Sequence, residues 1–597
     1  MGNQQSKGVS SFRVPDKALV ERLRKIRQRD GSATSSEKMK EKTVVEKVKE
    51  EAVVEKTKEE SVAAAQEVVV QRDAEALPLD VVAAVPAEFL EDPRNRLALS
   101  ALSSANPKTV LTSQASKIST QHLFNTKIPC EGSPITNQRS SGRCWLFAAT
   151  NVFRVALMKK YNVDSFELSQ NYLYYYDKLE KANWFLEQII QTAGEDLDSR
   201  LVQRLLEDLI SDGGQWDMVY NLVEKYGLVP QALCPDSWSA KNSAVMRTVL
   251  KTKLREFALT LRKVATGSGS PGSGAEAGSS GTGATSDDDG SAMTAAEAEA
   301  EAEAEAEAEA EAVSEEDQLE SRRAEISALK TKMMKEIQHL ITLLLGPTPD
   351  PTKEFQWTYM DKDNKVHELS ITPRDFAKSI FSSSFHMMGS SPLSSSLSSL
   401  SMSLSSSSIA DMVSLVNDPR NAYMTPLTVD RLGNVVGGRN TTYLNVDMET
   451  MKAACVKMIK AGCPIFFGCD VGKFSDRTSG VMDLGVYDYE AGLRTDLLRG
   501  LTKEERLRAG ESMMTHAMVL TAVHLDERTG RPVRWRVQNS WGTESGEKGW
   551  FVMSDAWMDE WVYQAVVDQK LLSKELRDVL GREPVVLPLW DPMGALA

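Results

Sequence analysis

Cysteine is scarce in this sequence, with six in 597 residues, and none of the six forms a CxxC pair. That spacing excludes a disulfide framework and points to a reducing compartment. The six histidines are scattered, so no zinc-ligand cluster is expected, and no cofactor is called for. There is no apolar run of 18 or more residues and no signal-peptide core, so a secreted or membrane-spanning chain is not expected. Positive charge is missing from one region in particular. Residues 266–320 hold 16 acids and no base, and setting them aside turns a net charge of −14 into +2. The folded part is therefore nearly neutral, and charge alone gives no case for nucleic acid. Aromatic residues are absent from 31–75, a Lys/Glu/Val/Ala mixture expected to be solvated helix or disorder.

The stretch that stands out is Gln138-Arg139-Ser140-Ser141-Gly142-Arg143-Cys144-Trp145-Leu146-Phe147, in which a glutamine precedes a cysteine by six residues. The cysteine heads an apolar run, WLFAATNVFRVALMKKY, with helical spacing. Two later segments complement it, Met514-Thr515-His516-Ala517 and Gln538-Asn539-Ser540-Trp541-Gly542. A thiol attacks an amide as thiolate, and a free cysteine titrates near ~8.5, so the nucleophile needs a helix N-terminus and a base beside it. Cys144 is the candidate nucleophile and His516 the base that returns the proton to the leaving amine. Asn539 is the candidate orienter of the imidazole, and Gln138 the oxyanion donor together with the Cys144 backbone N–H. His524 competes for the base from the end of the same expected strand. Cys130, Cys234, Cys455, Cys463 and Cys469 lack an upstream Gln at that spacing and are expected to be inert.

Along the chain, residues 1–94 form an N-terminal extension. Its start matches M-G-x-x-x-[ST], which makes Gly2 a lipidation candidate beside the plain alternative of a polar tail. One acyl chain anchors weakly, so membrane contact would need a second signal. Residues 17–29, with six bases and one acid, could assist as a basic helix or belong to a transit-peptide-like element. The folded body begins in 94–130 with core-facing strands and turns. Residues 95–265 are a helical lobe bearing the nucleophile, with helices expected over 166–190, 197–227 and 244–264. The stripe Tyr172, Tyr175, Tyr176 reads as core. An acidic low-complexity insertion fills 266–320, whose Ala/Glu tract favours solvated helix or disorder over strand. A helical insertion with a Ser-rich loop follows over 321–413, and a strand-rich lobe with His516 and Asn539 covers 414–586, with strands expected at 434–445, 464–472, 514–524, 533–539 and 549–553. The arm 587–597, punctuated by Pro588 and Pro592 and preceded by Pro584, suits a rigid extension into a groove. The fold class is α+β, with the site in the cleft between a helical lobe and a strand-rich one.

The segment Ser141-Gly142-Arg143-Cys144-Trp145 partly matches the papain-class signature, with Ser141 in place of its first cysteine. From about residue 95 onward the chain resembles the bleomycin hydrolase family of cysteine aminopeptidases (fungal-type cysteine proteinase 1 included). The resemblance rests on QRSSGRCWLFA, DGGQWDM (212–218), LVNDPRN (415–421), NVVGGR (434–439), FFGCDVGK (466–473), GESMMTHAMVLTAV (510–523), VQNSWG (537–542) and LPLWDPMGALA (587–597). It implies a papain-like two-lobed peptidase, a helical lobe plus a β-barrel-like lobe, with large insertions and a C-terminal arm in the cleft. It also implies a homohexamer with sites facing an internal channel, and a terminal carboxylate, here that of Ala597, placed near the substrate's amino group. Gly213 and Gly214 would then give backbone hydrogen bonds to substrate. Family substrates include peptides, the amide of bleomycin and the thiolactone of homocysteine. A cytoplasmic location with a mitochondrial pool follows from the same resemblance. Some fungal relatives bind DNA; the acidic insertion argues against that here. Two alternatives stay open, a channel-type nucleic-acid or peptide binder on the same fold, and an endopeptidase.

Overall fold

The computed structural model describes residues 76–267, 295–382, 409–497 and 500–595. Residues up to Leu99 form a separate compact unit, described from residue 76 onward, with a helix at Leu79–Glu91 and the start of a second at Pro93–Ser104. The remainder, from Ser100, is the body that holds every candidate site residue except Gly2. The expected strands of 94–130 are mostly helix instead, at Pro93–Ser104, Pro107–Val110 and Gln114–Ser119, with a two-residue strand at Thr126–Lys127. Local caps explain the difference. Asn106 accepts from the Lys108 N–H and Ser113 from the Ser116 N–H, with Pro107 fixing the first helical φ.

The helical half is built on α1 (Cys144–Lys160), buried without interruption from Cys144 to Val155. A helix apolar on every side has to sit in the middle of a core. Against it pack α2 (Gln170–Gln191) and α3 (Trp216–Tyr226), while α4 (Ala244–Ala265) and α5 (Ala295–Leu345) pack on α2 and on each other. Ser169 caps α2 by accepting the Tyr172 N–H at 3.0 Å. Its aromatic stripe is core, and each phenol is satisfied: Tyr172 donates to the Tyr226 carbonyl at 2.8 Å, while Tyr175 and Tyr176 pair with Thr342 and Thr348 at 2.8 and 3.1 Å. The stretch 197–227 is broken into Arg200–Glu207 and α3, because Asp212-Gly213-Gly214 forms a loop pressed on Trp145. The boundary expected at residue 320 does not exist as a break, since 295–345 is one helix of 51 residues, ended by Gly346 at φ 87°. Nor is 321–413 wholly helical. Phe355–Met360 and Val366–Ile371 form a hairpin whose turn is held by Asp361, which accepts from the Asp363 and Lys365 N–H groups, both at 2.9 Å.

Among the described residues the other half is one twelve-stranded sheet, in which the short strand Thr126–Lys127 pairs with His516–Leu525 off the main path. Its main strands are β1 (Met412–Val416), β2 (Thr425–Val429), β3 (Thr442–Asn445), β4 (Ile465–Cys469), β5 (His516–Leu525), β6 (Pro532–Gln538), β7 (Trp550–Ser554), β8 (Val562–Asp568) and β9 (Val585–Leu587). They run across the sheet in the order β9-β2-β3-β1-β8-β4-β5-β6-β7, and two short strands, Val481–Met482 and Ser475–Asp476, complete that edge. The strand expected over 434–445 is confined to Thr442–Asn445. The preceding NVVGGR segment turns at Gly437 and is clamped to α3, where Asn221 accepts from the Arg439 N–H at 2.8 Å and donates to its carbonyl at 2.9 Å. Strand β5 lies centrally, antiparallel to β4 and β6, so His516 at its first position stands at the sheet end that meets α1.

Candidate active site

The loop ahead of α1 is fixed from several sides. Ser141 Oγ donates to the Gln138 carbonyl at 2.7 Å and receives Arg143 Nε at 3.0 Å. The Arg143 guanidinium, fully buried, forms a bidentate pair with Asp236 at 2.7 and 2.9 Å. Gly142 donates its N–H to Asp212 Oδ2 at 3.3 Å, and a Cβ there would come within 2.8 Å of Asp212. The turn before α1 therefore tolerates only glycine at that point. Asp212 also receives Tyr174 OH at 2.6 Å and the Ser243 hydroxyl, and lies 3.1 Å from Lys178. Burial alone would raise its carboxyl, but Lys178, Ser243 and Tyr174 hold it well below the usual carboxylate range.

Gln138 joins the two halves. Its N–H donates to the Ser540 carbonyl at 2.8 Å, and its Oε1 accepts from Ser540 Oγ at 2.7 Å. Its Nε2 donates to the Ser141 carbonyl at 2.6 Å. An amide nitrogen has two hydrogens, so a second one remains for another acceptor.

His516 Nε2 donates to Asn539 Oδ1 at 2.9 Å, and the same oxygen accepts the Ser540 N–H at 2.7 Å. Two donors on one atom fix the Asn539 amide orientation and place the imidazole proton on Nε2, leaving Nδ1 as acceptor. Trp541 stacks on the His516 ring at 4.8 Å and 30°, and the Arg477 guanidinium lies 4.8 Å from the Trp541 ring on its own account. The Ala517 N–H, next in sequence to His516, faces the Cys144 sulfur together with the N–H groups of Cys144 and Trp145. Burial pushes the Cys144 thiol up to about 11, opposed by those three N–H groups. Burial likewise pushes His516 down to about 4, with the Asn539 bond opposing and Arg477 adding to the effect. Taken singly, each group is neutral at pH 7. Proton transfer between them would create both charges at once, and their attraction would offset part of the cost of burial.

Gly214 lies against Trp145, the residue after Cys144. A Cβ on Gly214 would meet the Trp145 ring at 2.7 Å, while Trp145 Nε1 donates to the Asp212 carbonyl at 2.7 Å. The Gly213 carbonyl is taken by Lys181 Nζ at 2.5 Å. The described part of the C-terminal arm reaches the residue after Gly214, where Gln215 Nε2 donates to the Ala595 carbonyl at 2.7 Å. Ala597 and Gly2 lie outside the described residues. His524 is not brought to the cysteine; it sits eight residues along β5, roughly 25 Å away by strand rise, opposite Arg534. The other five cysteines are free thiols, with Cys234, Cys455, Cys463 and Cys469 buried and Cys130 half-buried.

A family model described as Peptidase C1-like family matches residues 76–273, 292–388 and 399–594. The chain belongs to that family. Cysteine proteinase 1, mitochondrial, of Saccharomyces cerevisiae strain JAY291 is 38% identical over 546 residues, covering 89% of this chain and 95% of the relative. Bleomycin hydrolase of Rattus norvegicus is 38% identical over 522 residues, covering 86% and 98%. The human bleomycin hydrolase is 37% identical over 530 residues, covering 88% and 99%. Among solved structures, that of PepW from Lactobacillus rhamnosis superposes with a TM-score of 0.71 at 35% identity, covering 88% of this chain and 100% of that one. This member of the Peptidase C1-like family is a cysteine peptidase with a papain-like α+β fold.

Several residues around the candidate site escaped the sequence reading. Asp212 and Gln215 flank the two glycines in DGGQWDM, yet only the glycines were singled out. Arg477 and Ser540 had no signal of their own, because their roles arise from partners far along the chain: Ser540 meets Gln138 across 402 positions.

Proposed function

We propose that this peptidase is an aminopeptidase, removing N-terminal residues from peptides and opening small amides by a Cys-His-Asn mechanism. Cys144 gives its proton to His516 Nδ1 as its sulfur bonds to the substrate carbonyl carbon. The carbonyl π pair moves onto oxygen, where the free N–H of Gln138 and the Cys144 backbone N–H stabilise it; losing one such donor typically costs on the order of 10²–10³ in rate. When the intermediate collapses, the C–N bond breaks and the imidazolium passes its proton to the leaving amine. Water, deprotonated by His516, then displaces sulfur from the thioester and releases the new carboxylate. Asn539 holds the ring for both transfers, and Trp541 covers their hydrogen bond.

The docking of Ala595 on Gln215 carries the choice of exopeptidase. An arm docked on Gln215, next to the glycine pressed on Trp145, would obstruct one side of the cleft in this reading, so that a substrate fits there by its end. Two residues beyond Ala595 reach at most about 7 Å. In this reading the Ala597 carboxylate receives the substrate's α-ammonium, and Gly213 and Gly214 align its backbone. The bleomycin hydrolase relatives favour a bleomycin-type amide as one substrate, and the same sulfur attack would open homocysteine thiolactone. The reading includes a self-compartmentalised homohexamer and a cytoplasmic location with a mitochondrial pool, one relative being named mitochondrial. The test is hydrolysis of an aminoacyl amide and its N-acetylated counterpart, with mass mapping of a thiol-directed label. Label on Cys144, activity lost in Cys144→Ala and rejection of the blocked substrate are expected. Equal turnover of both substrates would refute the aminopeptidase.

A further inference from the structure

The last residues of the arm are docked in steps. Asp591 takes both Arg420 terminal nitrogens, at 2.7 and 3.2 Å, and Arg420 is held in turn by Asp418 at 2.8 and 2.9 Å. Met593 is buried among Val429, Tyr443 and Met514, and Tyr443 OH donates to its carbonyl at 3.1 Å. Past Met593, the remaining side-chain hydrogen bond to the arm among the described residues is that from Gln215 to Ala595.

Gln215 has features that its local structure does not require. It is fully buried and occupies the N-cap of α3, yet its side chain makes no capping bond there. Its amide orientation is fixed, because the Ala595 carbonyl can only accept, and its own Oε1 is buried with no partner among the described residues. A buried amide left half-unsatisfied is costly. The half that is satisfied is spent on the arm, and its backbone follows directly on Gly214, the residue pressed against Trp145. Gln215 thus connects the arm's end to the helix that bears Cys144.

We infer that Gln215 is a positioning residue that sets the register of the arm's end and thereby the preference for substrates with a free N-terminus. The inference rests on the aminopeptidase reading. Removing the bond leaves Asp591 and Met593 docked but lets the end of the arm shift, and displacement of about 1 Å in a positioning group lowers turnover on the order of 10²-fold.

The test compares four proteins: the intact chain, Gln215→Met, a chain lacking residues 596–597, and the combination. Gln215→Met should lower kcat/KM for an aminoacyl amide about 10- to 100-fold, leave the N-acetylated counterpart unchanged, and leave iodoacetamide alkylation of Cys144 unchanged. In the shortened chain it should have no further effect. Gln215→Glu, isosteric but unable to donate when ionised, should match Gln215→Met and stands in for it should the latter fail to fold. Multiplying losses in the combined protein, or unaltered discrimination in both single variants, would overturn the inference. An intact protein with no preference for free N-termini would overturn the aminopeptidase reading instead, whatever Gln215 does.

Discussion

Replacing His516 with Gln takes away the proton acceptor while an amide still fills the space beside Asn539 and under Trp541. Burial holds the Cys144 thiol at about 11. Alone, it would be ionised to the extent of about 10⁻⁴ at pH 7, rising to about 10⁻¹ at pH 10. With His516 present the proton moves only across the pair. Two unit charges at ~4 Å and an effective dielectric of ~20 attract by about 4 kcal/mol, or three powers of ten. Alkylation by a small neutral haloacetamide, followed at Cys144 by mass spectrometry to separate it from the other five cysteines, reads this directly. The seven powers of ten that separate the two groups, less those three, leave about 10⁻⁴ of the pair ionised whatever the pH, so the intact protein should react at a level rate from about pH 5 to 7. The variant should climb about tenfold per pH unit from 5 to 10 and level off only near 11. A variant that keeps the level rate between pH 5 and 7 would show that His516 is not the acceptor for Cys144.

The Gln138→Ala variant should lose on the order of 10²–10³ in kcat while KM changes little, since its free N–H acts on the oxyanion; an unchanged kcat in steady-state assays would assign that role elsewhere. Arg420→Met leaves Asp418 and Asp591 close together without a counter-charge in a site where all three are at most 11% exposed. Denaturant unfolding should show a loss of about 3–5 kcal/mol, together with weaker discrimination against N-blocked substrates. For stability against pH the sign follows from burial. His516 is held at about 4 against an ordinary 6.5, so the folded chain binds fewer protons than the unfolded one between those values. Its contribution, about 3 kcal/mol, is present in full above pH 6.5 and lost as pH falls through 4. Urea unfolding at pH 7.5 and 4.5 should therefore show a larger drop for the intact protein than for His516→Gln.

What the sequence disclosed follows from how local each signal is. Cys144 was readable because a largely apolar run at helical spacing follows it, and His516 because it opens a strand whose residues are almost all buried. Hydrophobic period says nothing about caps. Asn106 and Ser113 turned an apparently strand-like stretch into short helices, and Asp361 closed a hairpin inside 353–380, where strand and helix signals are mixed. Strand β8 is buried at all seven positions, so it lacks the alternation that marks a strand with one wet face. Asp212 bonds the Gly142 N–H from 70 positions away and Gln215 bonds Ala595 from 380, and polar residues with such distant partners look like any others until the chain is folded.

The measurement that bears most directly on the central claim is digestion of one defined peptide by the intact protein and by a chain lacking residues 594–597, with every product identified by mass. The account requires stepwise release of single N-terminal residues by the intact protein and the appearance of internal cuts once the arm is shortened, both abolished by Cys144→Ala. The same cleavage pattern from both chains would contradict it.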